Sequence, residues 1–175
     1  MAHGLDTILD AGALLQKQIG SESVRILLLG DGAERKALEK RAHAEGLGNV
    51  LFISSVPKEE VAHYWSLLDV AVIHLKRNDT FKAVIPSKVF ECMAMGLPVL
   101  HGIEGESAEI IERIGCGLLF EPENAHALAS QITALASDYP LRLKLRDRGL
   151  AAVGDYSRIE LADGMLDFLK GIARV

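Results

Sequence analysis

A helical pattern in the middle of the chain begins with a proline and carries a serine, a lysine and a glutamate. Pro86 suits the first position of a helix, because the N–H that proline lacks has no partner there. The N–H groups of Ser87 and Lys88 would then point outward at the positive end of the helix dipole. With the full charges of Lys82 and Lys88 close by, this helix start is a candidate seat for a diphosphate.

The acidic side chain of this helix is Glu91, four residues after Ser87 and three after Lys88, so that the three share one face. Its neighbours on both sides are apolar, and a carboxylate in such a helix is rarely buried without a partner. A carboxylate accepts two hydroxyl hydrogen bonds at once, which suits the cis-diol of a ribose. We therefore favour a ligand contact over the alternative, an ion pair between Glu91 and Lys88 at the rim of the helix.

A second candidate is the glycine-rich sequence Gly30-Asp31-Gly32, which follows an apolar run and precedes a charged helix. Glycines let the backbone approach a ligand closely, and the helix start that follows attracts anions. The dinucleotide fingerprint GxGxxG would need glycine or alanine at position 35, where Arg35 stands, so that an NAD site is disfavoured. A tight turn without any ligand explains these residues equally well.

Another glycine-rich loop runs from residue 102 to residue 107 and also joins a strand to a helix. Its backbone, at Gly105 above all, could contact a sugar or a phosphate, and Ser107 could cap the helix that follows. The acidic residues of this loop are explained by their favourable place in the first turn of a helix. His74 and His101 lie at strand ends, where a role in the site and a structural role both remain open.

Apolar runs and helical patterns alternate along the chain, which predicts an α/β fold: a Rossmann-like, doubly wound parallel sheet with helices on both faces. The chain opens on a helix, although a doubly wound domain normally opens on a strand. We expect residues 1–175 to form one domain whose first strand lies upstream of residue 1. The predicted elements are helices at 5–19, 33–46, 58–68, 86–95, 107–114, 125–137, 141–153 and 157–172, and strands at 24–29, 50–53, 69–75, 97–101 and 117–120.

The composition limits the class of protein. The 175 residues suit one domain with a sizeable core, and the 49% apolar content excludes a disordered acidic chain. A net charge of −5 without a basic patch argues against nucleic-acid binding.

Cys92 and Cys116 belong to no CxxC pair or histidine cluster, so that we expect reduced thiols, no metal and no cofactor. The sequence shows no signal peptide and no run of about 20 apolar residues, which predicts a cytoplasmic domain. This prediction is compatible with a parent protein that is bound peripherally at the inner face of the membrane.

Four segments, taken together, carry a family resemblance. They are residues 30–32, 57–61, 85–100 and 115–122, and they follow one another over nearly the whole chain. In this order they resemble the donor-binding domain of the family-four glycosyltransferases, with 85–100 as the donor-site motif. The sequence Ile-Pro-Ser-Lys-x-x-Glu at 85–91 is similar to that of the bacterial surface-polysaccharide subgroup, the fucosamine transferases of O-antigen and capsule synthesis.

The resemblance implies a fold and an activity. Such enzymes have the GT-B fold, in which two Rossmann-like domains face a cleft and the C-terminal domain binds the nucleotide sugar. It implies a metal-independent transfer, with retention of configuration, from a nucleotide diphosphate sugar to a lipid-linked or saccharide acceptor. Glu91 would hold the ribose hydroxyls, and Pro86, Ser87 and Lys88 would face the diphosphate. Lys82 and Lys88 are the candidates that stabilise the charge of the leaving nucleotide.

The chain departs from the family pattern at two points. The family usually has a further glutamate eight residues before Glu91, where this chain has Ala83, so that the contacts of the donor sugar are open. The strand, the basic residue and the acceptor-binding domain that precede Leu5 in the family would lie upstream of residue 1. We expect that N-terminal domain as the partner, a UDP-sugar as the donor, and no turnover by this chain alone. A nucleotide-sugar epimerase of the same architecture and a non-enzymatic Rossmann-like binding module are the alternatives.

Overall fold

The computed structural model describes residues 2–173, and within that range helices and strands alternate. Two short 3₁₀ helices in this range, Asp79–Ala83 and Val153–Tyr156, accompany them. The helices Leu5–Ile19 and Ala125–Ser137 and the strand Val50–Ile53 begin and end where the sequence pattern predicts. The helices are α1 Leu5–Ile19, α2 Arg35–Ala44, α3 Lys58–Trp65, α4 Lys88–Ala94, α5 Glu106–Ile114, α6 Ala125–Ser137, α7 Tyr139–Ala152 and α8 Arg158–Ala173, and the strands are β1 Ile26–Leu29, β2 Val50–Ile53, β3 Ala71–His74, β4 Val99–Gly102 and β5 Gly117–Leu119.

The strands form two parallel sheets rather than the single sheet that the alternation predicts. One sheet contains β1 and β2, and the other has the order β3-β4-β5. All pairs are parallel, with Ile26 opposite Val50 in the first sheet and Ala71 opposite Val99 in the second. The α/β class and the parallel direction are therefore confirmed, whereas the sheet is divided between β1 and β3.

Helices cover both faces of the sheets, as in a doubly wound domain. On one face, α1, α2 and α6 bury an aliphatic core that includes Leu9 and Leu128. On the other face, α4 and α5 bury a second core that includes Met93 and Ile111. Both cysteines are free and lie in this second core.

Helix α1 holds the two sheets side by side. Its buried residues pack on Ile26 of β1 in one sheet and on Leu100 of β4 in the other. At its middle it approaches the start of β2, where the fully buried Asn49 donates its Nδ2 hydrogen to the carbonyl of Gly12 at 2.8 Å. A Cβ on Gly12 would lie 2.9 Å from the Val50 side chain, so that only glycine permits this approach.

The prediction for the start of α4 is wrong by two residues. Pro86 does not occupy the first helical position, because α4 begins at Lys88 and Ser87 takes the capping position. The carbonyl of Pro86 instead accepts the N–H of Val89 at 3.0 Å, which closes a tight turn before the helix proper. The proline therefore sets the backbone of the turn that leads into α4.

The last helix, α8, leaves an apolar face uncovered. Its hydrophobic side chains recur at helical spacing, and between 49% and 72% of each is exposed. An exposed apolar stripe of this kind is typical of an interaction surface. Across residues 2–173, no helix is long and apolar enough to cross a membrane. The exposed residues of α8 are Ile159, Leu161, Met165, Leu166, Phe168, Leu169 and Ile172.

Candidate functional site

The two glycine-rich loops singled out in the sequence and the segment that carries Lys82 all begin where a parallel strand ends. Gly30 follows β1, the segment 75–84 follows β3, and Ile103 follows β4. The carboxyl ends of parallel strands lie at one edge of a sheet, which is the edge at which α/β domains bind ligands. The candidate residues therefore lie on the same side of the molecule.

At the start of α4, Ser87, Lys88 and Glu91 form one polar cluster. Ser87 Oγ donates to Glu91 Oε1 at 3.2 Å, and Lys88 Nζ donates to Glu91 Oε2 at 2.9 Å. The Lys88 ammonium also lies 5.4 Å from the ring centroid of Trp65 at the end of α3, within cation–π range. Helix α4 buries Val89, Cys92 and Met93 on its inner side and exposes the polar cluster on its outer side.

Glu91 keeps its charge in this arrangement. The hydrogen bond from Lys88 lowers the pKa of the Glu91 carboxyl below its ordinary value, although partial burial acts in the opposite direction. The ion pair that the sequence left open as an alternative is thus formed. It is an exposed pair, with 60% of the Lys88 side chain and 47% of the Glu91 side chain accessible, and such pairs contribute little to stability. The pair can therefore open toward a ligand at small cost.

Arg35 holds the loop 30–32 in place through hydrogen bonds. Its Nη1 donates to the carbonyl of Gly30 at 2.6 Å and to the carbonyl of Ile53 at 3.1 Å. The same guanidinium lies 2.8 Å from the carboxylates of Asp31 and Glu39. Because Gly30 follows β1 and Ile53 ends β2, Arg35 joins the carboxyl ends of two neighbouring strands. In the sequence this residue served only to disfavour a dinucleotide fingerprint, and its structural role was missed.

The Asp31 carboxylate faces the loop after β2. Its Oδ2 accepts the Ser55 N–H at 3.0 Å and also the Ser55 hydroxyl. These hydrogen bonds from Ser55, together with the guanidinium of Arg35, lower the pKa of Asp31. A Cβ added to Gly30 or Gly32 would meet no atom within 4 Å, so that the backbone at these two glycines is the part of the loop that is open to a ligand.

Lys82 lies on the 3₁₀ helix after β3, within residues 76–85, for which the sequence pattern predicts neither a helix nor a strand. Asn78 begins this helix, because its side chain accepts the N–H of Thr80 at 2.9 Å. Lys82 Nζ lies 2.7 Å from Asp79 and 4.0 Å from Glu104 in the loop after β4. The hydrogen bond with Asp79 raises the pKa of Lys82, so that it remains a full cation. The two candidate lysines, at 82 and 88, are thus each bound to a different carboxylate.

Gly105 is in close contact with the same 3₁₀ helix. It has φ 91° and ψ −145° at the N-cap of α5, a conformation that is essentially restricted to glycine. A Cβ at this position would lie 2.8 Å from the Cα and the carbonyl carbon of Lys82, and closer still to the carbonyl oxygen. Packing alone therefore requires a glycine at position 105. The close packing also brings two candidate site residues, Gly105 and Lys82, next to each other.

Arg77, which sequence reasoning missed, links three loops of the carboxyl edge. Its Nη2 lies 2.7 Å from Glu121 after β5 and 3.4 Å from Glu104 after β4. Its backbone N–H donates to the Glu123 carboxylate at 2.9 Å. The sequence did contain a signal for this role. Arg77 is a basic residue shortly after the apolar strand β3, and the acidic residues Glu104 and Glu121 stand at similar places after the next two strands.

His101 is fully buried and has a structural contact. Its Nε2 lies 2.9 Å from Ser107 Oγ, and its Nδ1 has no hydrogen-bond partner among residues 2–173. Burial lowers the pKa of His101 to about 4, so that the ring is neutral. The prediction that Ser107 caps α5 is wrong, because Gly105 takes that position and the Ser107 hydroxyl turns inward to the histidine.

His74 is also buried and bonded within the protein. Its Nδ1–H donates to the carbonyl of His3 at 2.9 Å, and its Nε2 accepts the N–H of Glu123 at 3.0 Å. The ring stacks on Phe120 with 5.7 Å between the centroids. Burial lowers the pKa of His74. Both strand-end histidines therefore tie loops together instead of facing the exposed cluster on α4.

Two concave regions lie near these residues. A cavity of about 700 Å³ between α1 and the turn before α6 is lined by Arg77, Glu121 and His126, and by no residue that the sequence predicted for the site. A second cleft of about 10 Å³ is lined by Lys82, Arg77 and Glu104 and is too small for a ligand. The start of α4 lines neither and forms an open surface. Among the described residues, no group of three or more His, Cys, Asp or Glu side chains is arranged to hold a metal ion.

Comparison with known proteins assigns the chain to a family. The model of the family described as "Glycosyl transferases group 1" matches residues 2–151. The lipopolysaccharide core biosynthesis glycosyltransferase LpsE of Rhizobium meliloti is 29% identical over 169 residues, which cover 95% of this chain and 46% of that protein. The GDP-mannose-dependent alpha-(1-6)-phosphatidylinositol monomannoside mannosyltransferase of Mycobacterium tuberculosis is 24% identical over 172 residues, which cover 96% of this chain and 44% of that protein. The chain thus spans less than half the length of these relatives.

The comparison of folds agrees with the family match. A crystal structure of S. aureus TarM, in complex with UDP among other ligands, superposes with a TM-score of 0.80 at 17% identity, over 95% of this chain and 33% of that one. At this identity the likeness concerns the fold, which is one lobe of a GT-B architecture. Because the family model covers most of the residues and the fold agrees, the chain belongs to the glycosyl transferases of group 1, the family-four enzymes of the GT-B fold.

Proposed function

We propose that this chain is the donor-binding domain of a retaining glycosyltransferase of surface polysaccharide synthesis. The parent enzyme transfers a sugar from a nucleotide diphosphate to a lipid-linked or saccharide acceptor. The family match supports the transfer of sugars, and the similarity to LpsE, a glycosyltransferase of lipopolysaccharide core biosynthesis, supports an assignment to cell-surface polysaccharides. The transfer needs no metal ion, because charged side chains take over the task of stabilising the leaving nucleotide.

The observation that carries the proposal is the exposed, charged carboxylate of Glu91 at the start of α4. Each of its oxygens has one donor, Ser87 Oγ at 3.2 Å and Lys88 Nζ at 2.9 Å. The Ser87 contact is longer than the usual O–H···O distance of about 2.7–2.8 Å. The two hydroxyls of a ribose can replace this weak contact and use the remaining lone pairs, while Lys88 keeps the carboxylate ionised.

The phosphates would lie next to the same residues. A diphosphate attached to a ribose on Glu91 meets the ammonium of Lys88 and the backbone N–H groups at the start of α4. Lys82 approaches from the neighbouring loop, where Asp79 and Glu104 hold its side chain. We assign to Lys82 and Lys88 the stabilisation of the negative charge that develops on the leaving nucleotide.

The glycine-rich loops complete the proposed binding surface. The backbone at Gly30 and Gly32 is open to a ligand, and Asp31 positions that backbone through its bonds to Ser55. Gly105 contributes a backbone contact and keeps the Lys82 loop close. At Ala83 the chain lacks the side-chain oxygen that a glutamate would offer to the donor sugar, so the sugar depends on contacts from elsewhere.

A second domain completes the site. The polar cluster on α4 is open surface rather than a pocket, and ligand sites of this kind are closed by a facing wall at a domain interface. The relatives are more than twice as long as the part that this chain matches, which leaves room for such a domain. The bare apolar stripe of α8 supports a surface that packs against it. We therefore expect no turnover by this chain alone, and we place the parent enzyme in the cytoplasm at the inner face of the membrane.

An epimerase of the same architecture has less support. Its chemistry needs an acid or a histidine that faces the sugar. His101 is fully buried against Ser107, and His74 is bonded to His3 and Glu123, so that neither ring is free to move a proton at a ligand. A non-enzymatic binding module is disfavoured by the family match.

Calorimetric titration with UDP, GDP and ADP tests the proposal and selects the base. We expect UDP to bind, because the polysaccharide subgroup suggests it and the TarM structure contains it, whereas the mycobacterial relative depends on GDP-mannose. Glu91→Ala should weaken binding by about 10- to 100-fold, since a hydrogen bond to a charged group contributes about 1.5–3 kcal/mol.

Glu112→Ala is the matched control, because Glu112 is an exposed glutamate on α5 away from the cluster. It should leave the affinity unchanged. If none of the three nucleotides binds, the chain is not a donor-binding domain. If the affinity is the same in wild type and Glu91→Ala, the assignment of Glu91 to the ribose is wrong.

A further inference from the structure

The end of α3 supplies an aromatic partner for a residue of the proposed nucleotide site. Trp65 is the last residue of α3, and its side chain packs against the core that α4 and α5 bury. The centroid of its ring lies 5.4 Å from Lys88 Nζ at the start of α4. The ring is therefore anchored on the core, and its face holds a cation that the site uses.

Lys88 has little else that restricts its side chain before a ligand arrives. Its ammonium donates to Glu91 Oε2 at 2.9 Å, but 60% of the side chain is exposed, and exposed ion pairs are weak. A lysine also loses more rotamer freedom than most residues when a ligand orders it. A second attraction, from the face of the indole ring, limits that freedom in the free protein. Part of the ordering cost is then met before the ligand binds.

The contact with Trp65 leaves the hydrogen-bond donors of Lys88 available. An ammonium has three N–H donors, and Glu91 accepts one of them. The ring attracts the cation through its quadrupole and carries no net charge. A carboxylate in the place of the ring would also hold the ammonium, but it would repel a phosphate. An aromatic ring is thus the partner that holds Lys88 and still lets it bind an anion.

We propose that Trp65 is a positioning residue of the nucleotide site, which holds the Lys88 ammonium in place for the diphosphate of the bound nucleotide. The inference rests on the proposed function, because it takes the diphosphate at the start of α4 as given. It adds α3 to the elements that build the site. Because the ring attracts Lys88 independently of Glu91, Lys88 keeps a partner when Glu91 accepts the ribose hydroxyls.

Two roles of Trp65 predict different patterns of binding. A purely structural role, through packing on the core, predicts that removal of the ring weakens every ligand of the site alike. A positioning role predicts a loss that is confined to ligands with phosphate groups and that requires the Lys88 side chain. The pattern of losses therefore separates the two roles, whatever the effect on stability.

Calorimetry with Trp65→Leu measures this pattern. The ligands are whichever of UDP, GDP and ADP binds and the corresponding nucleoside. Trp65→Leu should weaken the diphosphate about 2- to 30-fold, the range of a cation–π contact, and leave the affinity for the nucleoside unchanged. In the Lys88→Met background, the same substitution should have no effect on the diphosphate. Trp65→Phe keeps a ring and should retain most of the affinity.

Tyr139→Leu is the matched control. The centroid of the Tyr139 ring lies 5.2 Å from the guanidinium carbon of Arg142, so that it forms a cation–π pair on α7, outside the proposed site. Removal of this ring should leave the affinity for both ligands unchanged. An equal loss in Tyr139→Leu and Trp65→Leu would mean that the effect is not specific to the site.

NMR of the wild-type protein tests the contact itself and needs no variant that must fold. The ring current of Trp65 should shift the ε-methylene protons of Lys88 upfield. This shift should persist when the diphosphate binds, because the ring holds the ammonium in both states. Unshifted protons in the free protein would show that the contact is absent, and a shift that disappears on binding would show that the ammonium leaves the ring.

The results also distinguish this inference from the proposed function. If the diphosphate binds to wild type but Trp65→Leu weakens it and the nucleoside equally, only the inference is overturned. The same follows if Trp65→Leu costs as much in the Lys88→Met background as in wild type. If none of the three diphosphates binds to wild type, the proposed function is wrong and the inference fails with it.

Discussion

Gly105→Ala should destabilise the protein more than the same change at a glycine of similar backbone conformation in open surroundings. Gly20 offers that control, with φ 84° and ψ 160° against φ 91° and ψ −145° at Gly105. A Cβ on Gly20 would meet no atom within 4 Å, whereas a Cβ on Gly105 would lie 2.8 Å from two backbone carbons of Lys82. A comparison of the two variants therefore separates the energetic cost of backbone strain from the cost of the forced contact between α5 and the 3₁₀ helix.

The expected magnitudes follow from these two contributions. Backbone strain costs about 1–3 kcal/mol in either variant. The forced contact with Lys82 adds about 1–3 kcal/mol in Gly105→Ala alone. Since the urea m-value of a small domain is about 1–3 kcal/mol/M, the urea midpoint of Gly105→Ala should lie about 1 M below that of Gly20→Ala.

Equilibrium unfolding in urea, followed by circular dichroism, measures the two midpoints, and nucleotide titration gives a second readout. Gly105→Ala should also weaken nucleotide binding, because Lys82 must move, whereas Gly20→Ala should not. Equal midpoints for the two variants would refute the close packing of the Lys82 loop on Gly105. The predicted decrease in the urea midpoint together with an unchanged nucleotide affinity would refute the role of Lys82 in binding.

Three further predictions concern side chains that the structure explains. Arg35→Ala should lower the urea midpoint and weaken nucleotide binding, because the carbonyls of Gly30 and Ile53 lose the guanidinium that joins them. The free energy of unfolding should fall by up to about 3 kcal/mol as the pH drops from 6.5 to about 4, because the unfolded state protonates His101 there and the folded state does not. His101→Gln keeps a polar partner for Ser107 but does not titrate. In this variant the free energy of unfolding should therefore decrease less over the same pH range. Burial raises the pKa of the Cys92 thiol to about 12, so that a thiol reagent should label it only after unfolding by guanidinium.

Each of these predictions has a control or a contrary outcome. Arg25→Ala removes an exposed arginine that forms an exposed ion pair with Glu22, and it should leave the urea midpoint unchanged. His63→Gln changes an exposed histidine on α3 and should leave the pH dependence as in wild type. A pH profile that is the same in wild type and His101→Gln would contradict the neutral, buried state of His101. Rapid labelling of Cys92 in the native protein would contradict its burial.

Much of the fold could be predicted from the sequence because local signals agree with it. Helix α1 has apolar residues at helical spacing and is capped by Gly20 after its last residue, and both bounds were predicted as observed. Helix α6 begins after Asn124, whose side chain accepts the N–H of Ala127. The division of the sheet was not predicted, because the pairing of strands is a long-range property that the pattern of a single strand does not contain.

The site was predicted less completely than the fold, because contacts across loops decide it. The polar face of Ser87, Lys88 and Glu91 followed from helical spacing and is present as one cluster. The roles of Arg35 and Arg77 could not be found in this way, because their partners lie after other strands and become neighbours only in the folded sheet. The inward turn of Ser107 likewise depends on His101, which the cap pattern does not include.

The central claim is that Glu91 holds the ribose of a bound nucleotide, and a double-mutant cycle tests it most directly. Calorimetry would compare the nucleoside diphosphate that binds with its 2′,3′-dideoxy analogue, each titrated into wild type and into Glu91→Ala. If Glu91 accepts the ribose hydroxyls, the substitution should cost about 1.5–3 kcal/mol with the natural nucleotide and almost nothing with the analogue. Equal losses with both ligands would show that Glu91 acts elsewhere and would contradict the account.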